Sequence, residues 1–217
     1  TIRSRHRVLT WFAPSRDEDI FSPTQNTDQN FVDGANAAED VEPSSVRGGR
    51  ERGAIIHKLL EEVLTGETQD DSKSLISRAR DLILLFDRSD VRDASRGLSA
   101  SEIGGCVVRT LALPQISALR PTLVPEVPVY TLISQVEQER AIAGIVDAFS
   151  LDANGNPHLV IDWKSDVELA AGALASYRTQ IHAYLEAAGI EHGLLVFVTS
   201  GTLVPIQLSG ARSVLQG

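Results

Sequence analysis

Two acidic residues and a lysine are the side chains best placed for chemistry in this sequence. They lie in two apolar runs, Gly144-Ile-Val-Asp147 and Asp162-Trp-Lys164, with Asn154-Gly155 between them. Asn-Gly between alternating apolar runs is a strong signal for a tight β-hairpin. A two-residue turn there sets Asp147 directly across from Asp162, with Cα atoms roughly 4.5–5.5 Å apart and both side chains on one face. One further loop residue would break that register. Like charges so placed repel, and ionised carboxylates among apolar strand residues are costly to bury. Either one carboxyl is protonated or a cation lies between them. Mg2+ takes oxygen ligands and is often held by only one or two carboxylates. Lys164, two residues past Asp162, leaves the strand on the same face. An ammonium there can orient a water or offset developing negative charge. The alternative for these three residues is a structural ion-pair cluster.

A second group sits on helical spacing. In Arg52-Gly53-Ala-Ile-Ile-His57-Lys-Leu-Leu-Glu61, positions 53, 57 and 61 follow i, i+4 along one side of a helix. Glycine inside a helix costs about 1 kcal/mol against alanine; close approach of another backbone is a reason to have it. His57 is then a candidate nitrogen ligand for the same cation, and Glu61 a candidate to orient it or to bind through water. A ligand histidine needs a ring nitrogen within about 5 Å of a carboxylate oxygen of Asp147 or Asp162, room for two bonds of about 2.0–2.2 Å to one ion. An ordinary helical histidine packs on the sheet and touches no carboxylate. Gln180-Ile-His-Ala-Tyr184 repeats the i, i+4 spacing, one turn after Tyr177. It reads either as helix packing or as a polar, aromatic edge against a nucleic-acid strand.

The elements that must hold these groups follow from periodicity. Helices are expected over 49–66, 72–86 and 99–119. Gly66 stops the first, and Ser99-Ala-Ser-Glu102 opens the third as a capping box that Gly104-Gly105 weakens. The pattern then turns strand-like over 123–134, 141–151 and 158–164, helical over 169–188, and strand-like again over 194–199 and 203–208. That order predicts an α/β domain, a mixed central sheet flanked by helices. The domain is expected over 47–217. Residues 1–46 read as a short basic, apolar strand around Val8–Phe12 followed by an acidic linker or arm.

Composition narrows the function classes. At 217 residues and 42% hydrophobic, the chain can bury a real core as one domain with an appendage. No apolar run approaches the roughly 18–20 residues that a membrane span needs, and the N-terminus lacks an apolar signal core. A single cysteine, Cys106, cannot form an internal disulfide, a cysteine zinc cage or an iron–sulfur cluster, and a reducing cytoplasm is the expected setting. Methionine is absent even at position 1, so the chain is expected to be a piece of a longer protein. No Gly-rich phosphate loop ending in Lys-Ser or Lys-Thr is present, which excludes ATP hydrolysis by that route. The net charge of −9 weighs against a nucleic-acid partner until its distribution is considered. Between Pro14 and Val46 eight acids face one base, Arg16, leaving about −2 for the rest of the chain. Basic residues gather at Arg3, Arg5 and Arg7 and at Arg47, Arg50 and Arg52.

Gly53-x-x-x-His57, Gly144-x-x-Asp147, Asp162-x-Lys164 and Gln180-x-x-x-Tyr184, taken in that order, resemble the RecB-like nucleases of the PD-(D/E)xK superfamily. The likeness covers roughly residues 47–208 and is nearest to the C-terminal nuclease domains of bacterial AddA and exodeoxyribonuclease V beta-type helicase–nucleases. It implies a restriction-endonuclease-like core and Mg2+-dependent cleavage of DNA, exo- or endonucleolytic, in double-strand break repair, with Mn2+ able to substitute. It implies Asp147 and Asp162 as catalytic metal ligands together with the Trp163 backbone carbonyl, His57 as a further ligand, and Lys164 as the catalytic lysine. Gln180 and Tyr184 fall beside the DNA strand, and Glu126, in Val-Pro-Glu126-Val-Pro, matches an accessory acidic strand position; Glu61, the other accessory candidate, comes from its helical spacing to His57 alone. The implied partners are DNA and a helicase module of the same polypeptide, with or without a second subunit. The iron–sulfur branches are excluded by Cys106 standing alone. The acidic stretch suits a helicase-to-nuclease linker, and the scarcity of basic residues near the motifs leaves part of the DNA path to other segments or a partner subunit. Two other functions remain open. One is a non-catalytic DNA-binding or scaffolding module of the same fold, against which all the matched acids count. The other is a hydrolase of small phosphate esters, which would lack a phosphate cradle and leave Gln180 and Tyr184 without a role.

Overall fold

In the computed structural model, which describes residues 8–14, 46–134, 138–168 and 172–208, the apolar runs pair into one six-stranded mixed sheet. The strands are β1 Val8–Phe12, β2 Leu123–Ser134, β3 Gln138–Leu151, β4 Pro157–Lys164, β5 His192–Phe197 and β6 Thr202–Gln207. Long β3 carries antiparallel β2 on one edge. Its other edge takes parallel β1 along Gln138–Ile142 and antiparallel β4 along Ala148–Leu151. Beyond β4 lie parallel β5 and then antiparallel β6.

Helices cover both faces, as the continuous apolar character of the central strands requires. They are α1 Arg50–Thr65, α2 Ser72–Leu85, α3 Ala100–Leu111, α4 Pro114–Leu119 and α5 Ala173–Ala188. Alternate strand residues serve opposite layers. Ile161, Trp163 and Val196 pack with Ile55, Leu59 and Ile103 under α1 and α3, whereas Val160, Leu195 and Phe197 pack with Ile181 and Leu185 of α5. The expected α/β architecture, a mixed sheet flanked by helices, is therefore the one found.

Several boundaries differ from the expectation for local reasons. The single helix expected over 99–119 is two, because Pro114 opens α4 and the chain turns at Leu113. Ser99 Oγ accepts from the Glu102 N–H at 3.5 Å, but the Glu102 carboxylate binds Arg52, so only half a capping box forms. Gly104 does more than weaken α3. A Cβ there would lie 3.0 Å from Ile76 Cγ1 and 3.1 Å from the Ile76 backbone nitrogen, so the missing side chain lets α2 and α3 cross closely.

The hairpin is longer than a two-residue turn. Gly155 N–H donates to the Asp152 carbonyl at 3.0 Å with Gly155 at φ 82, and Asp152 Oδ1 accepts from the Asn154 and Asn156 N–H groups. This is a type I turn followed by a left-handed glycine. The added residue does not destroy the expected register, because a shift between Ser150 and Leu151 restores it, and Ala148 pairs with Ile161. β1 pairs with β3, so the N-terminal strand belongs to the sheet rather than to an arm before it. The acidic linker over 15–45 and the Arg3, Arg5, Arg7 cluster lie outside the described residues. No helix among the described residues is long and apolar enough to cross a membrane.

Candidate active site

The site forms where β3 and β4 stop pairing. Their ladder runs through Ala148 and Ile161. One step on, Asp147 and Asp162 stand on facing strands, and the Trp163 N–H donates to Asp147 Oδ2 at 2.7 Å. The carboxylate thus occupies the place of the next ladder bond. In a strand, N–H and C=O of one residue point the same way, so the Trp163 carbonyl is directed at the same gap.

On the other side of β3, β2 pairs at Pro125 with Ala148 and at Val127 with Val146, but the Glu126–Asp147 step between them is missing. Glu126 takes φ 52, a left-handed conformation that costs a non-glycine residue about 1–2 kcal/mol. The side chains change layers across this step. Leu123 and Ala148 belong to the core under α1 and α3, Val127, Val129 and Val146 to that under α5. Glu126 and Asp147 come to lie beside α1. Glu126 retains solvent access, yet crowding around its carboxyl, with the charges of Asp147 and Glu61, pushes its pKa up to about 7.

α1 brings the histidine. His57 Nδ1 lies 3.4 Å from Asp147 Oδ1, inside the limit a shared cation requires and unlike a histidine that touches no carboxylate. Burial pushes the Asp147 carboxyl upward, but His57, Lys164 and the Trp163 N–H outweigh it and hold it below the usual carboxylate range. A Cβ on Gly53 would meet Ser165 Oγ at 2.7 Å, so what approaches Gly53 just past the end of β4 is a serine side chain and not the backbone expected. Glu61 accepts from Lys58 Nζ at 2.8 Å on its own helix and faces the site closely enough to raise Glu126.

Lys164 is buried, its Nζ 3.0 Å from Asp162 Oδ2 and donating to Gln180 Oε1 at 2.9 Å. Gln180 therefore stands beside the lysine. Tyr184 differs from the expected aromatic edge for DNA. It is only 1% exposed, and a Cβ on Gly144 would lie 2.9 Å from its Cε1. The ring is packed into the space Gly144 leaves and offers no face for a base to stack on.

One contributor was not singled out from the sequence. Arg52 counted only as part of a basic cluster, yet it is 1% exposed. It donates to the Ser165 carbonyl at 2.6 Å and reaches both oxygens of Glu102, tying α1 and α3 to the residue after Lys164. Tyr177 places its ring centroid 4.5 Å from Lys164 Nζ. The spacing sets Tyr177 one turn before Gln180 on the polar, aromatic edge, and the structure puts that ring beside the lysine.

No protein-family model and no curated protein matches the chain. A solved structure titled "Crystal structure of SSO0001" is similar over 70% of this chain and 74% of its own, at 20% identity and a TM-score of 0.34. A likeness that distant carries nothing about chemistry, which has to come from the residues gathered here. No group of three or more His, Cys, Asp or Glu among the described residues is assembled as a ready metal cage. The donors fit a hard divalent cation in kind: carboxylate oxygens from Asp147 and Asp162 with one imidazole. Mg2+ in particular keeps several waters and needs few protein ligands.

Proposed function

We propose that this chain is a metal-dependent deoxyribonuclease domain, a phosphodiester hydrolase of the RecB-like kind, working beside a helicase module. One observation carries the reading. Residues from four sequence-distant motifs converge on one buried place, with His57 against Asp147 and the Lys164 ammonium between Asp162 and Gln180. A structural ion pair needs neither the histidine nor a left-handed glutamate alongside.

Asp147, Asp162, His57 and the Trp163 carbonyl would hold Mg2+. When bound, the ion supplies Lewis-acid polarisation of a phosphoryl oxygen and eases ionisation of a water. Lys164, an ammonium that cannot ligate a cation, offsets the negative charge that builds on the phosphate in the transition state. Asp147, held ionised by His57 and Lys164, remains a charged acceptor near neutral pH.

The test is incubation of the chain with end-labelled linear DNA in Mg2+ or EDTA, alongside calorimetric titration of Mn2+. Cleavage in Mg2+ alone is expected. Asp162→Ala should lose both cleavage and Mn2+ binding, and Lys164→Ala should lose cleavage while keeping Mn2+ binding. Equal Mn2+ binding by wild type and Asp162→Ala would sink the metal site. DNA binding without Mg2+-dependent cleavage would favour the non-catalytic alternative.

A further inference from the structure

Lys164 ends a long, flexible stem whose ordering is entropically costly, yet its side chain is 2% exposed and held at both Asp162 and Gln180. A third group faces the same ammonium. The Tyr177 ring centroid lies 4.5 Å from Nζ, within cation–π range. We propose that Tyr177 is a positioning residue for Lys164, its ring forming the third wall around the ammonium beside Asp162 and Gln180. The inference rests on the reading of Lys164 as the charge-offsetting group of a nuclease.

The ring is suited to this because it is itself fixed. Tyr177 Oη donates to Asp166 Oδ1 at 2.8 Å, and Asp166 lies two residues beyond Lys164. The ring also meets Phe197 of β5, with centroids 6.2 Å apart and planes tilted by 54°. Tyr177 and Gln180 are one helical turn apart and share a face of α5, so one helix supplies both an acceptor and an aromatic wall. A ring attracts an ammonium through its quadrupole and consumes no N–H in doing so. It therefore restrains the ammonium without spending a donor that the phosphate needs.

Two variants and two measurements test this on the full chain. Tyr177→Phe keeps the ring and loses the Asp166 bond; Tyr177→Leu removes the ring at similar bulk. In the metal-free, DNA-free protein, NMR of the Lys164 side chain should show ring-current-shifted Hε signals in wild type and Tyr177→Phe, and ordinary positions in Tyr177→Leu. In Mg2+-dependent DNA cleavage, Tyr177→Leu should lower kcat roughly tenfold with KM and Mn2+ affinity little changed, and Tyr177→Phe should recover most of that loss. Unshifted Lys164 signals in wild type overturn the pairing. Full kcat in Tyr177→Leu, a loss confined to KM, or Tyr177→Phe as impaired as Tyr177→Leu overturns the positioning role. A wild-type chain that shows the shifted lysine signals but does not cleave DNA supports the pairing and overturns the nuclease reading instead.

Discussion

Glu126 combines a strained backbone with a perturbed side chain, and its titration has a definite sign. Its carboxyl is raised to about 7 by crowding and by Asp147 and Glu61, against about 4.3 in an unfolded chain. The folded state thus binds the proton more tightly than the unfolded state. The stability this contributes is complete below about pH 4.3 and is lost as pH climbs toward 7. Above that, an ionised Glu126 faces two other carboxylates. Glu126→Gln, a neutral mimic, should therefore be more stable than wild type at pH 8, and the gap should shrink as pH falls toward 5. Urea unfolding at both pH values checks this; an unchanged gap would mean that the charge at 126 is not what the fold resists. Asp147, ninety residues from His57 in sequence but 3.4 Å from it in space, goes the opposite way because, against its burial, His57, Lys164 and the Trp163 N–H favour its ionised form.

At the scale of elements, the glycines separate close packing from local weakness. Gly104 and Gly105 look alike in sequence, two poor helix formers in α3. A Cβ at 104 would press on the Ile76 backbone, which cannot swing aside, whereas at 105 it meets only Arg109 Nη1 at 3.2 Å, the free end of a flexible side chain. Gly104→Ala should cost about 1–3 kcal/mol, an overpacking effect that exceeds its propensity gain. Gly105→Ala should be neutral or stabilising by up to about 1 kcal/mol. Urea midpoints of the two variants should move in different directions or by clearly different amounts; similar losses would show that helix crossing is not the distinction. Gly144 belongs with Gly104, since a Cβ there would press on the buried Tyr184 ring, whereas at Gly53 the atom met is Ser165 Oγ, the end of a short side chain that can turn.

Across the whole molecule, Arg52 joins the helical layer to the sheet. Its guanidinium holds Glu102 on α3, the Ser165 carbonyl after β4 and Thr199 Oγ1 after β5. Removing one partner of a buried, fully bonded charge leaves the other uncompensated and typically costs about 3–5 kcal/mol. Arg52→Ala should lose stability on that scale in chemical unfolding. Arg88→Ala, which breaks an exposed pair with Glu51, should change little, because solvent screens such pairs. Comparable losses in the two variants would contradict the assignment of Arg52 as the tie between layers.

Much of this molecule was legible from local pattern. The periods of 3.6 and 2 place α1, α2, α5 and the strands to within a few residues, because a helix or strand must repeat its apolar face to bury it. The order of those periods implies the α/β layering, and the spacing of Asp147, Asp162 and Lys164 around one hairpin brings them to one end of it. Tertiary structure decided the rest. Nothing local shows that β1 joins β3, that Tyr184 is buried against Gly144, or that Arg52 reaches Ser165. Nor does it show that a register shift at Ser150 cancels the extra loop residue. Each depends on contacts between segments far apart in the chain, and such contacts appear only when loop closure is repaid by packing many residues at once. His57 and Asp147 lie on separate elements, and they meet because the sheet and α1 share one core, not because any stretch of sequence directs one toward the other.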